Sequence, residues 1–92
     1  IHAGLEHFSE SRQLEEYSVE ELVWKRTDFD IAYFKNITVV SGHIPTQNIL
    51  GNSRPGYIFK KNNHIAIDCG AGKNSGRLAA ICLDTGEEYY AE

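Results

Sequence analysis

The chain has 92 residues, of which 41% are hydrophobic and 24% charged, enough for one small domain or a piece of a larger one. Its formal net charge of −4 argues against a nucleic-acid backbone or an anionic membrane as the main partner. No apolar stretch approaches the roughly 20 residues that span a bilayer. Two cysteines are too few for a disulfide framework, so we expect a cytoplasmic protein.

The first residues lack the polar character that is typical of a solvent-exposed N-terminus. The chain opens with Ile1, His2, Ala3, Gly4 and Leu5, and it contains no methionine. This pattern is typical of the end of a strand whose beginning lies further upstream. We therefore expect a C-terminal fragment of a longer protein, with His2 at a strand end.

A helical, charge-rich region follows, from residue 8 to about residue 34. Ser18 and Glu21 form a capping-box pattern, in which each side chain satisfies a free backbone N–H of the other residue. The sequence predicts a short amphipathic helix from there through about Lys25. A further helical turn is predicted for residues 29–34, and an earlier one for residues 11–16.

The next element is an apolar run that ends abruptly. Residues 38–40 (TVV) predict a buried strand, Gly42 allows a turn or a close approach, and Pro45 prevents the strand from continuing. His43 is then displayed at a strand tip, where open α/β sheets place ligand sites. The alternative is a histidine that only caps the strand through a backbone hydrogen bond.

The rest of the chain has β character. Residues 57–60 and 64–67 flank Asn62 and Asn63, which tolerate positive φ and predict a hairpin. Residues 78–83 predict another buried strand, which turns back into residues 87–90. The fold class is therefore α/β, as an α+β fragment: short N-terminal helices followed by four to five mostly antiparallel strands.

The glycine-rich segment 70–76 invites comparison with phosphate-binding loops. A P-loop would need glycine at position 67 and Ser or Thr at position 74, where Ile67 and Asn74 stand. A dinucleotide fingerprint would need glycine at Ser75 and a following helix, where a strand is predicted instead. The segment is interpreted as a flexible connection between two strands.

Four segments of the chain carry a resemblance, and they are residues 2–5 (HAGL), 22–26 (LVWKR), 42–46 (GHIPT) and 65–78. In this order they look like the HGG/HAG, LLWxR and GHTP blocks and the closing IDTGA…GGRL strands of calcineurin-like metallophosphoesterases. The chain resembles in particular the branch of Ser/Thr protein phosphatases and diadenosine-tetraphosphatase-like enzymes, and the match spans nearly all of residues 1–92.

The resemblance implies a fold and an activity. The fold would be a four-layer αββα sandwich, of which residues 1–92 form the C-terminal half of the catalytic domain. The activity would be hydrolysis of phosphate monoesters by a hydroxide that bridges two metal ions. The substrate would be a phosphoprotein or a nucleotide, and the missing N-terminal half would be an obligatory partner.

The resemblance also assigns residues. His2 and His43 would be ligands of the second of two divalent ions, and imidazole favours Mn, Fe or Zn over Mg. Arg26 would hold the substrate phosphate bidentately. The Asp-x-His, Gly-Asp-x-x-Asp-Arg and Gly-Asn-His blocks, which supply the other ligands and the general acid, are absent from this chain. We therefore expect the isolated 92 residues to be inactive.

Several other polar residues receive an interpretation. His7 and His64 match no block and are predicted to lie on the surface. Arg77 and Lys73 are interpreted as solvated loop residues. Asp68 is either a hydrogen-bond partner of a ligand histidine or a structural residue.

Two alternatives to a phosphoprotein phosphatase remain open. One stays within enzymes, with dinucleoside polyphosphates as substrate. The other is a non-catalytic module that binds a partner through exposed aromatic residues such as Tyr57, Phe59, Tyr89 and Tyr90. Edge-strand packing explains these aromatic residues equally well.

Overall fold

A computed structural model describes residues 1–92, with few helices and five short strands in two sheets. The helical elements are a 3-10 helix at Leu14–Glu16, the α-helix α1 at Val19–Val23 and a 3-10 helix at Thr46–Asn48. The strands are β1 (Val39–Ser41), β2 (Phe59–Lys61), β3 (His64–Ala66), β4 (Leu78–Ile81) and β5 (Glu88–Ala91). The small mixed α/β class predicted from the sequence is confirmed.

Helix α1 begins at its predicted cap and ends earlier than predicted. The Ser18 hydroxyl accepts from the Glu21 N–H at 3.3 Å, and the Glu21 carboxylate accepts from the Ser18 N–H at 3.0 Å. The carbonyls of Leu22 and Lys25 accept hydrogen bonds from the N-terminal segment instead of from further helical turns. The helix therefore stops at Val23.

The predicted helical turn at residues 29–34 is wrong, because this segment consists of turns and bends. Asp28 provides the reason. Its carboxylate accepts from the N–H of Asp30 at 3.0 Å, and its own N–H donates to the Tyr33 hydroxyl at 2.8 Å. Such local side-chain bonds compete with helical hydrogen bonding. The earlier predicted turn is present as the 3-10 helix Leu14–Glu16.

The larger sheet has the strand order β1-β3-β2. β2 and β3 form the predicted antiparallel hairpin, and Asn62 and Asn63 adopt φ values of 50° and 63° at its turn. β1 pairs in parallel with β3, in the register Val39 to His64 and Ser41 to Ala66. This pairing directs the chain after Ser41 to one end of the sheet.

β4 and β5 form a separate antiparallel pair, so two of the three strand pairings are antiparallel, as predicted. The prediction that residues 78–83 are buried is wrong. Leu78 is 64% exposed and Leu83 67% exposed. The pair is only two strands wide, and residues 57–60 contact it on the side of Glu88 and Tyr90. Alternate side chains on both of its strands consequently meet solvent.

The main core lies between the N-terminal segments and β1. Leu5, Tyr17, Tyr33 and Val39 form its buried cluster.

His64 is buried as well, at 1% exposure, so its predicted surface position is wrong. Its Nε2 donates to the Ile31 carbonyl at 2.7 Å, and its ring meets Tyr33 edge-on. His7 is exposed, as predicted.

Candidate functional site

The two histidines of the resemblance lie side by side, although 41 positions separate them in the chain. Nε2 of His2 and Nδ1 of His43 are 3.1 Å apart. The ring centroids are 4.9 Å apart with an interplanar angle of 62°. Both residues are exposed to solvent. An imidazole pair of this kind is able to share either a proton or a cation.

His2 is positioned by backbone bonds on both sides, although residues 1–5 are not assigned to a strand. The Ile1 nitrogen donates to the Val40 carbonyl at 2.7 Å, and the Gly42 N–H donates to the His2 carbonyl at 2.8 Å. Gly4 donates to the carbonyl of Lys25 at 2.5 Å. The segment is thus held between β1 and the end of α1.

His43 is positioned by the end of β1 and by an unusual backbone. Its φ is +71°, a left-handed conformation that residues other than glycine seldom adopt. Such a conformation costs on the order of 1–3 kcal/mol and is concentrated at functional sites. The Ile44 N–H donates to the Gly42 carbonyl at 2.8 Å, and the Thr46 N–H donates to the Asp68 carbonyl at 2.8 Å. These bonds fix the turn that directs the imidazole toward His2.

Arg26 follows α1 and is exposed, and its side chain forms no hydrogen bond or ion pair. It lines a cavity together with Ile44, the residue after His43. The structure therefore brings the segment of Arg26 next to the segment of His43. An unpaired guanidinium on an exposed segment is available to bind an anion.

A buried group of hydroxyls connects the three segments, and we call it the hydroxyl cluster: Thr27, Ser41 and the carbonyl of Ala3. The Thr27 hydroxyl donates to the Ala3 carbonyl at 2.9 Å and lies 3.2 Å from the Ser41 hydroxyl. Ala3 adjoins His2, Thr27 adjoins Arg26, and Ser41 precedes His43 by two residues. The sequence reasoning missed this cluster, although Ser41 shares the inward face of β1 with Val39.

Gly4 allows these segments to approach closely. A Cβ atom on Gly4 would lie 2.8 Å from the backbone N and Cα of Thr27 and 2.9 Å from the carbonyl carbon of Arg26. Only glycine leaves room for backbone packed at this distance. Gly42, beside His43, is less confined, since a Cβ there would meet its nearest atom at 3.6 Å.

The spacing of the imidazole nitrogens fits a metal ion. Two nitrogens bound at roughly 2.0–2.1 Å to one ion, at tetrahedral or octahedral angles, lie about 2.9–3.4 Å apart. The observed 3.1 Å falls in this range, and it also suits a hydrogen bond between neutral imidazoles. No group of three or more His, Cys, Asp or Glu side chains comes together in the protein. The pair by itself therefore offers at most two nitrogen ligands to an ion.

The neighbouring loop residues have structural contacts. The Asp68 carboxylate accepts from the Gly70 N–H at 3.1 Å, which favours the structural interpretation. Burial raises the pKa of the Cys69 thiol, so it remains a neutral packing group. Lys73 is exposed as expected, whereas the interpretation of Arg77 as a solvated residue is wrong. Its guanidinium stacks 4.1 Å above the Tyr57 ring and donates to the Gly56 carbonyl at 2.6 Å.

The helices are all short, and none combines the length and the hydrophobicity needed to cross a lipid bilayer. The chain matches no protein-family model, and no curated protein or solved structure matches it.

Proposed function

We propose that residues 1–92 are the C-terminal half of a calcineurin-like phosphoesterase domain that hydrolyses phosphate monoesters with two divalent metal ions. His2 and His43 are ligands of one ion, and Arg26 binds the substrate phosphate. The observation that supports this best is the 3.1 Å approach of two imidazoles that come from different segments. The remaining ligands and the general acid come from residues upstream of this segment.

Each residue has a defined task in this proposal. His2 offers Nε2 and His43 offers Nδ1, and two neutral nitrogens suit Mn, Fe or Zn. Arg26, which has no partner of its own, donates two parallel N–H bonds to phosphate oxygens and offsets charge that develops on them. When bound, the metal ions supply Lewis acidity toward the phosphoryl group. The hydroxyl cluster holds the three segments together, so little reorganisation is needed during the reaction.

The test uses the intact protein that contains this segment, assayed on p-nitrophenyl phosphate with added manganese. We expect His43→Ala to lower turnover at least about a hundredfold without unfolding the protein. Losing a metal ligand should cost more activity than losing a hydrogen-bond partner of a ligand, which typically costs about 10–100-fold. Alanine keeps the strain that a residue with a Cβ atom bears at φ +71°, so His43→Gly serves as a second variant that removes the imidazole and relieves the strain. Added imidazole is expected to restore part of the activity of His43→Gly.

His7→Ala is the matched control, since His7 is an exposed histidine away from the pair. The 92 residues alone are expected to bind manganese weakly and to show no turnover, because two ligands leave most coordination positions empty. Unchanged turnover in both His43 variants would refute the ligand assignment. An intact protein that shows no turnover at all would instead favour the non-catalytic module, with the exposed Tyr89 of β5 in its binding surface.

A further inference from the structure

A cavity of about 240 Å³ opens beside the candidate site. Residues 26–30 line one side, and Ile44 with residues 48–50 lines the other. Phe59 and Lys61 of β2 complete the lining. Since Arg26 belongs to one side and Ile44 follows His43, the cavity is continuous with the proposed phosphate position.

The apolar part of the lining contains aromatic rings. Phe29 and Phe59 meet edge to face, with ring centroids 5.4 Å apart and planes at 84°. Ile44, Ile49 and Leu50 add aliphatic surface, and Leu50 is 97% exposed. An aromatic edge-to-face pair flanked by aliphatic side chains favours a flat apolar guest.

Of the charged groups at the cavity, Lys61 and Asp30 form an ion pair, the Asp28 carboxylate is engaged by backbone alone, and Arg26 is the cation without a partner. Lys61 Nζ lies 3.0 Å from the Asp30 carboxylate, and Asp28 accepts from the Asp30 N–H. The guanidinium of Arg26 has no partner. A ligand with an anionic head and an apolar body would therefore place the head at Arg26 and the body against the phenylalanines.

We propose that this cavity binds the group esterified to the phosphate, and that this group is an aromatic ring, as in a phosphotyrosyl side chain or another aryl phosphate. The inference rests on the proposed function, which places the phosphate at Arg26. An engineered 150 Å³ cavity lined by Leu, Ile and Phe in another protein accommodates benzene, so 240 Å³ accommodates one ring. A phosphoserine side chain would leave the apolar lining in water.

The test compares phenylphosphonate with methylphosphonate, two non-hydrolysable probes, by calorimetric titration of the metal-free intact protein. Burial of the ring is expected to make phenylphosphonate bind at least about tenfold more tightly. Phe59→Ala should remove most of this preference and leave the methylphosphonate Kd unchanged. Tyr89→Ala, on β5, is the matched aromatic control and should keep the preference. Leu50→Ser, at a nearly fully exposed position that folding does not require, should reduce it about two- to threefold.

The outcomes separate the cavity from the proposed function. Equal affinities for the two probes overturn the inference, as does an equal loss of preference in Phe59→Ala and Tyr89→Ala. Manganese-dependent turnover that requires His43, without a preference for the aromatic probe, would support the proposed phosphoesterase function and contradict the aryl site. A preference for the aromatic probe, in a protein whose turnover is unchanged in the His43 variants, would support the aryl site and contradict the proposed metal-ligand role of His43.

Discussion

Gly4→Ala should destabilise the protein by forcing apart the backbone segments at the candidate site. The added Cβ would lie 2.8–2.9 Å from three backbone atoms of Arg26 and Thr27, so a side-chain rotation cannot relieve the clash. Overpacking of this kind costs about 1–3 kcal/mol. Replacing glycine restrains the unfolded chain and returns about 0.4–1 kcal/mol. The net loss in the free energy of unfolding is therefore about 1–2 kcal/mol.

Equilibrium unfolding in urea measures this loss. With a slope near 1 kcal/mol per molar, as is typical of a small domain, the midpoint should fall by about 1–2 M. Gly42→Ala is the matched control, because its Cβ would meet the nearest atoms at 3.6 and 3.9 Å, an ordinary contact. Its midpoint should stay within about 0.5 M of the parent. If both variants shift equally, close backbone packing at Gly4 does not hold the segments of His2 and Arg26 together.

Two further variants test the elements that support the site. Thr27→Val keeps the shape of the side chain but leaves the Ala3 carbonyl and the Ser41 hydroxyl unpaired, so it should lower the free energy of unfolding by about 1–3 kcal/mol. Thr27→Ser keeps the hydroxyl and should retain most of that stability. An equal loss in the two variants would contradict the hydrogen-bonding role. Hydrogen bonds from Arg12, and secondarily from the Ser18 N–H, lower the folded-state pKa of Glu21 well below 4.5. The stability that Glu21 contributes is therefore present above pH 4.5 and is lost as the pH falls below it. Glu21→Gln should flatten the acid limb of a plot of unfolding free energy against pH, and an unchanged limb would argue against this coupling.

The local features of the fold were the predictable ones. The capping box at Ser18 and Glu21 and the hairpin turn at Asn62 and Asn63 depend on residues close in sequence, and both are present. The prediction of a helical turn at residues 29–34 was wrong because the Asp28 carboxylate accepts a hydrogen bond from the Asp30 N–H. The apolar periodicity of the sequence does not show this competing bond.

The predictions of burial that were wrong failed because burial depends on tertiary contacts. A polar residue such as His64 becomes buried when a carbonyl such as that of Ile31 accepts its N–H. An apolar strand such as β4 stays exposed on the face that no other element covers. In the candidate site, the approach of His2 to His43 was expected from the resemblance. The hydroxyl cluster and the cavity beside Arg26 depend on side-chain geometry between distant segments, which no single stretch of sequence contains.

The parallel pairing of β1 with β3 has a kinetic consequence. The β2–β3 hairpin closes over two residues, a process of about 1–10 µs. β1 joins it only after the longer connection of residues 42–63 has closed, at a greater entropic cost. His43 stands at the start of that connection, and His2 is docked on β1. The imidazoles meet only when the N-terminal segment docks on β1, across 41 positions of the chain, so a refolding chain forms the hairpin before it forms the imidazole pair.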